Sequence, residues 1–237
     1  MLESLRNKRI MIVVAHPDDE LLGLGGTMNK LINEYNITSH VVILGEGITS
    51  RSDKREINKW KNELEQHKKN IKMAQKAIGY HSVSVYDFPD NRFDTVALLD
   101  IIKVIEKEKN LFNPEIIFTH HGGDVNIDHQ RTFDAVITSC RPMENETVKT
   151  IISFETPSGT EWRVNSDPKH FLPNFFVEIS EENLNSKIIG MESYEFERRS
   201  FPHPRSPKAL EIQAQRWGVA VGRKLAEAFH IVRSING

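Results

Sequence analysis

The chain predicts a doubly wound α/β fold: a mostly parallel sheet with helices on both faces, an extra C-terminal strand and a long C-terminal helix. Two observations carry this. Along residues 8–156, short runs of β-branched and aliphatic residues alternate with segments of helical spacing. Those runs are continuously apolar rather than alternating, as expected for strands buried on both faces of a parallel sheet.

In chain order the strands are "RIMIVVA" (9–15), "HVVILGE" (40–46), "SVSVYDF" (82–88), "PEIIFTH" (114–120) and "TIISFET" (150–156). Helices are predicted between them over 21–35, 53–79, 95–109 and 128–139, where Leu, Ile, Ala and Val recur at helical intervals. Glycines 23, 25 and 26 lack phosphate-loop spacing and are read as positions of close helix–strand packing. The lysine-rich stretch within 53–79 reads as a solvated helix face. Beyond residue 156 the pattern changes: a long Pro/Gly-rich loop, a strand "FFVEIS" (175–180), a helix over 181–197, the irregular "SFPHPRSP" (200–207), and "KALEIQAQRWGVAVGRKLAEAFHIVRSI" (208–235) as one amphipathic helix.

At 237 residues the chain suits one domain, 1–237, with a core at 8–156 and an extension at 157–237 packing on it. Lys plus Arg total 31 against 33 Asp plus Glu, a near balance that argues against a broad nucleic-acid or anionic-membrane surface. The lone cysteine, Cys140, leaves no intramolecular disulfide to form and suits a reducing cytoplasm. No run reaches the ~18 apolar residues of a spanning helix, and the run Ile10 to Ala15 is too short for a signal-peptide core, so no integral membrane segment is expected.

Ligands of open parallel sheets bind beyond the carboxyl ends of the strands, where the strand order reverses. With the first strand central, that crevice lies between the ends of the first and fourth strands, which carry "AHPDDE" and "THHGGDVNIDH". A hydrolytic zinc site needs about three protein ligands and an open position. His16 and Asp19, three residues apart where strand becomes helix, can both face the crevice. The third ligand is expected from His120, His121, Asp124, Asp128 or His129. Zinc there would acidify a water, and the adjacent Asp18, not itself a ligand, could take its proton.

"AHPDDE" after an N-terminal strand, with "DH" after "THHGGD", resembles the PIG-L/LmbE-type zinc-dependent de-N-acetylases. The resemblance runs on through "DFPDNRFD", "CRPM", "PHPRSP" and "AEAFHIVR". It implies a Rossmann-like fold that removes the acetyl group from an N-acetylated amino sugar or conjugate, with Zn²⁺ as the cofactor. Carried over by position, it implies that His16, Asp19 and His129 bind zinc and that Asp18 is the general base. It also implies homo-oligomers as a common assembly. Where the family commonly has H-x-D-H, this chain reads "NIDH", so Asn126 stands in place of a histidine that helps stabilise the oxyanion. Either the Asn126 amide does that work or His120, His121 or His203 takes the acid role, His203 being the first choice. Asp128 orients a neighbour or caps the following helix.

The second and third strands end in "GEGITSR" and "DFPDNR", making Glu46, Arg51, Asp90, Asn91 and Arg92 candidate sugar or phosphate contacts, with His121 beside them. Arg205 is a candidate for an anionic substituent, and Trp162 with Arg163 for a lid stacking on a sugar ring. Two rival readings stay open: another metal-dependent amide or phosphoester hydrolase, and a catalytically silent sugar-binding protein.

Overall fold

The computed structural model describes residues 2–235. Its centre is a seven-stranded sheet: β1 (Arg9–Val14), β2 (Thr38–Gly45), β3 (Ser82–Phe88), β4 (Ile116–His120), β5 (Thr150–Phe154), β6 (Phe175–Glu178) and β7 (Ala226–Ser234), in the order β3-β2-β1-β4-β5-β7-β6. The first five strands are parallel, and β7 runs antiparallel between β5 and β6. The helices are α1 (Asp19–Leu22), α2 (Gly25–Tyr35), α3 (Lys61–Ile78), α4 (Leu98–Phe112), α5 (Ile127–Ser139), α6 (Glu181–Glu192) and α7 (Pro207–Ala220).

The unbroken apolar run of β1 follows from burial on both sides. Ile10, Ile12 and Val14 enter one core with residues of α2, α3, α6 and α7, while Met11, Val13 and Ala15 enter a second with α4 and α5. Successive strand side chains point to opposite faces, so two cores demand apolar residues at every position. β1 pairs with β2 on one side and β4 on the other, so the order reverses there and the crevice opens between the ends of β1 and β4.

Four expected helices differ, one of them only in length: the helix expected over 181–197 ends at Glu192. The segment 21–35 is two pieces broken at Gly23 and Leu24, where a Cβ on Gly23 would stand 2.1 Å from Phe154 Cδ2 and 2.7 Å from the Glu155 carbonyl. Close packing against β5 is what that glycine provides. The helix expected from residue 53 starts at Lys61; before it, Arg55 reaches back to Glu46 and the Asp87 carbonyl. The single closing helix over 208–235 is overturned: α7 ends at Ala220, the chain turns through Gly222 at φ +69°, and 226–234 is a strand. A Cβ on Gly218 would come within 2.7 Å of the Arg223 and Lys224 carbonyls, so only glycine admits this turn. Pairing with two neighbours then overrides the helical spacing of "AEAFHIV". Glu227, which would sit on a polar helix face, is instead buried. It accepts the Gly26 and Thr27 N–H groups and pairs with Lys187 at 2.7 Å.

Candidate active site

Where β1 ends, the chain enters "AHPDDE" and its backbone becomes strained. Asp18 takes φ +102°, a left-handed conformation rare outside glycine, and its side chain makes no capping bond. What holds it there is local. Its N–H donates to Glu20 Oε2 (2.9 Å), and its carbonyl accepts from Leu21 N and Leu22 N (2.9 and 3.1 Å). Tyr194 OH donates to Glu20 Oε1 at 2.5 Å and Tyr80 OH to the Glu20 carbonyl at 2.6 Å. Burial pushes the Glu20 carboxyl up to about 7. The third acid of the motif is therefore a buried brace of the Asp18 turn, a role that the sequence did not announce.

Asp19 sits at the centre of the cluster. His16 Nδ1 is 3.4 Å and His129 Nε2 3.3 Å from Asp19 Oδ2, and one ligand atom from each of the three residues lies within 4.8 Å of the others. A tetrahedron of 2.0–2.1 Å bonds has edges of about 3.3–3.4 Å, so these two spacings match those of a zinc ligand set. The outer ring nitrogens are backed by carboxylates. His16 Nε2 hydrogen-bonds Asp128 Oδ2 at 2.8 Å, and His129 Nδ1 lies 3.1 Å from Asp124 Oδ2, off the line of a good hydrogen bond. Backing of this kind fixes the imidazole ring and its tautomer, leaving the inner nitrogen free for a metal. Asp128 is itself held by the Asn91 and Phe93 N–H groups (2.6 and 2.8 Å), and Asp124 by Asn126 N–H and Thr160 Oγ1 (2.8 and 2.6 Å).

The electrostatics point the same way. Burial opposes a charge on His16, but hydrogen bonds to Asp128 and Asp19 outweigh it and raise its pKa well above 6.5. His129, equally opposed by burial, is raised to about 9 by Asp19 and Asp124. Burial would raise Asp19, yet His129 and His120 hold its carboxyl well below the usual range. A buried site that gathers protons around one carboxylate is a site that draws positive charge. Its two nitrogens and one oxygen suit a zinc-like cation.

His120, one of the five candidates for the third ligand, is spoken for. The Ala15 N–H donates to its Nε2 (2.9 Å), Nδ1 meets Thr156 Oγ1 (2.9 Å), and its ring stacks on His129 with centroids 3.9 Å apart. Burial, with the neighbouring His129, lowers its pKa to about 4 and keeps it neutral. Its lone pair is occupied, so it cannot also ligate. Asp128, held by two backbone amides, spends its Oδ2 on the His16 ring, although with His16 and Asp90 it makes a second group whose ligand atoms lie within 4.8 Å of one another.

A cavity of about 230 Å³ lies over the cluster, and His16, Asp18, Arg51, Asp90, Asn91, Asn126, Trp162, His203 and Arg205 all line it. Three candidate contacts do not. Glu46 is buried against Arg55 and Thr49, Arg92 donates to the Asp53 carbonyl, and His121 Nε2 bonds the Lys169 carbonyl. Arg163 is occupied with the Gly123 and Asp124 carbonyls and Asp167, so it is not part of a lid. Asn126 caps α5 through its oxygen, which accepts the Asp128 N–H (2.8 Å). Arg205 is spent on Ser158 Oγ, Glu197 Oε2 and Asp18 Oδ2 (2.8, 2.6 and 3.1 Å), which leaves little of it for a substrate anion. Sequence reasoning missed Glu197, a buried carboxylate that holds Arg51 at 2.5 Å as well as Arg205. It lies inside a predicted helix, and only its place between two distant arginines gives it meaning.

Behind Glu197, His67 is buried with neither ring nitrogen hydrogen-bonded, and burial lowers its pKa to about 4, aided by Arg51. The unfolded chain takes up this proton near pH 6.5, and the folded chain only near 4. Stability is therefore expected to fall as pH drops through that window, by ~3 kcal/mol from this group. Denaturant melts between pH 7 and 4 on wild type and His67→Gln check it: the variant should lose part of the slope.

A family model described as PIG-L, GlcNAc-PI de-N-acetylase, matches residues 11–140, more than half of the chain. The chain belongs to the PIG-L family. This is a family of deacetylases, as the "AHPDDE" resemblance implied. Outside the family model, this PIG-L chain is 28% identical over 200 residues to the uncharacterized deacetylase YaiS of Escherichia coli (strain K12), covering 81% of this chain and 95% of YaiS. Its fold is similar to that of an N,N'-diacetylchitobiose deacetylase from Pyrococcus horikoshii (TM-score 0.68, 18% identity, 95% of this chain and 84% of that one). It is also similar to that of GalB, a 4-carboxy-2-hydroxymuconate hydratase from Pseudomonas putida KT2440 (TM-score 0.73, 18% identity, 97% and 98%). Those two likenesses show the fold alone, and the two proteins differ in reaction, so the chemistry of this PIG-L member has to be argued from its site. Among the described residues, no helix is long and apolar enough to cross a membrane.

Proposed function

We propose that the chain is a zinc-dependent hydrolase that removes the acetyl group from an N-acetylated amino sugar or its conjugate. The observation that carries this reading is the His16–Asp19–His129 triangle, backed by Asp128 and Asp124 and bordered by Asp18 at the cavity wall. A divalent ion held by those three residues would supply a Lewis acid for the amide oxygen and an acidified water for the attack.

The chain's own groups do the rest. Asp18 lies beside the triangle with its carboxylate on the Arg205 guanidinium (3.1 Å), so it can take the attacking water's proton without leaving its place. Burial pushes its pKa well above the usual carboxylate range, against the pull of Arg205, which makes Asp18 a stronger base when ionised and able to return the proton. With its oxygen in the helix cap, Asn126 has its amide N–H₂ to offer the developing oxyanion.

The acid role moves from His203 to Asp18. Burial, Arg205 and Arg199 all lower the His203 pKa, which disfavours the protonated imidazole that a general acid requires. Water adds across the amide: hydroxyl to the carbonyl carbon, then Asp18 passes the proton to the leaving nitrogen, giving acetate and a free amine. The lone buried Cys140 suits a reducing, cytoplasmic setting.

Acetate release measured over a panel of N-acetyl sugars should identify at least one substrate, with activity lost to chelator and regained on adding zinc. No release from any member, or release indifferent to chelation, would end this reading.

A further inference from the structure

Four side chains of alternating charge follow one another along the cavity wall: Arg51, Glu197, Arg205 and Asp18. Glu197 is buried and uses both carboxylate oxygens, Oε1 for Arg51 (2.5 Å) and Oε2 for Arg205 (2.6 Å). Arg205 is held near its root as well. Its Nε donates to Ser158 Oγ (2.8 Å), and the next residue, Ser206, caps α7 by accepting the Ala209 N–H (3.2 Å).

One guanidinium nitrogen stands between two carboxylates. Arg205 Nη1 lies 2.6 Å from Glu197 Oε2 and 3.1 Å from Asp18 Oδ2. The first contact is a hydrogen bond. The second is an ion pair only: among the described residues Asp18 Oδ2 has no hydrogen-bond partner, although it is buried. An unpaired buried acceptor is costly and a charge-assisted hydrogen bond is strong, so a guanidinium this near would be expected to close on Asp18. The shorter bond to Glu197 holds it back.

Glu197 is placed by the same segment that places the Asp18 backbone. Its N–H donates to the Tyr194 carbonyl (2.9 Å), and Tyr194 OH holds Glu20, whose carboxylate accepts the Asp18 N–H. Residues 194–197 thus reach Asp18 twice, at its backbone through Glu20 and at its side chain through Arg205.

We propose that Glu197 is a positioning residue for Asp18: by competing for Arg205 it keeps the guanidinium from closing on Asp18 Oδ2 and leaves that carboxylate free to accept a proton. This rests on Asp18 being the base of the proposed hydrolase. Without Glu197, Arg205 takes Asp18 as its carboxylate, and a proton reaches Asp18 only by breaking a charge-assisted hydrogen bond.

The test is Glu197→Gln, alone and together with Arg205→Gln, in the full, zinc-loaded chain with the N-acetyl sugar that wild type turns over best. Glutamine has one acceptor oxygen where the carboxylate has two, so it cannot hold both arginines. The Arg51 and Arg205 side chains are 34% and 25% exposed, so water can solvate the charge that loses its partner and the variant should fold. In Glu197→Gln, kcat should fall about ten- to hundred-fold, the range of one charge-assisted hydrogen bond, while KM and zinc stoichiometry hold. In the Arg205→Gln background the same substitution should cost little, because no guanidinium remains to be held back. A crystal structure of Glu197→Gln should show Arg205 Nη1 nearer to Asp18 Oδ2 than 3.1 Å and aligned for a hydrogen bond. A wild-type kcat in Glu197→Gln, an equal loss in both backgrounds, or an Arg205 that has not moved would each overturn the proposal. If wild type releases no acetate from any sugar, the hydrolase reading fails, and the crystal structure of the variant still decides whether Glu197 restrains Arg205.

Discussion

Asp18→Asn is expected to cut kcat for acetate release by about 10²–10⁴-fold while zinc stoichiometry stays at the wild-type value. The substitution separates base from ligand. Asp18 is not among the three residues whose ligand atoms converge, and its Oδ2 faces Arg205 rather than the two histidines. Asn keeps the volume, and it tolerates the left-handed backbone at φ +102° better than most residues, so the brace from Glu20 should still seat. Arg205 retains Glu197 as its partner. Only the ability to accept and return a proton is lost. Metal analysis and steady-state kinetics on the same preparation decide the matter: full activity removes Asp18 from the mechanism, and lost zinc would mean that it belongs to the ligand set.

The residues told the fold well where burial was two-sided and poorly where tertiary pairing intervened. β1, β2, β4 and β5 are legible because each core claims alternate residues of the same run, whereas β3, at the sheet edge and without a buried residue, is legible from its β-branched and aromatic residues. The C-terminal strand was not, because "AEAFHIV" carries helical spacing too, and only insertion between β5 and β6 makes it a strand. Within the site, His16 and Asp19 follow from their place at a strand end facing the switch point. His129 could not be separated from His120 by spacing. What separates them is the Ala15 N–H, which occupies the His120 lone pair across the sheet, and that contact exists only after β1 and β4 pair. Glu46 illustrates the opposite error: a strand-end carboxylate looks like a substrate contact until Arg55, nine residues on, folds back onto it. Glu20 and Glu197 were silent because each acts through partners far away in the chain, Tyr194 for one and Arg51 with Arg205 for the other.

His129→Ala is expected to abolish stoichiometric zinc binding and, with it, acetate release. Without the His129 imidazole, His16 and Asp19 remain as two ligands, short of the three that hold a hydrolytic zinc. His120, although stacked on the vacated ring position, cannot substitute without giving up the Ala15 N–H and Thr156. The variant should also change the metal-free protein. His129 in the folded, metal-free state titrates at about 9, above its unfolded value near 6.5. Its protonated form therefore adds stability that is complete below pH 6.5 and disappears as pH rises through about 9, by linkage on the order of 3 kcal/mol. Metal-free wild type should become less stable across that range in denaturant melts. Metal-free His129→Ala should be less stable at pH 6 and show a shallower decline, keeping only what His16 contributes, because Asp19 and Asp124 have lost the cation between them. Zinc bound one-to-one by the variant would remove His129 from the ligand set, and an unchanged pH slope would remove it from between those carboxylates.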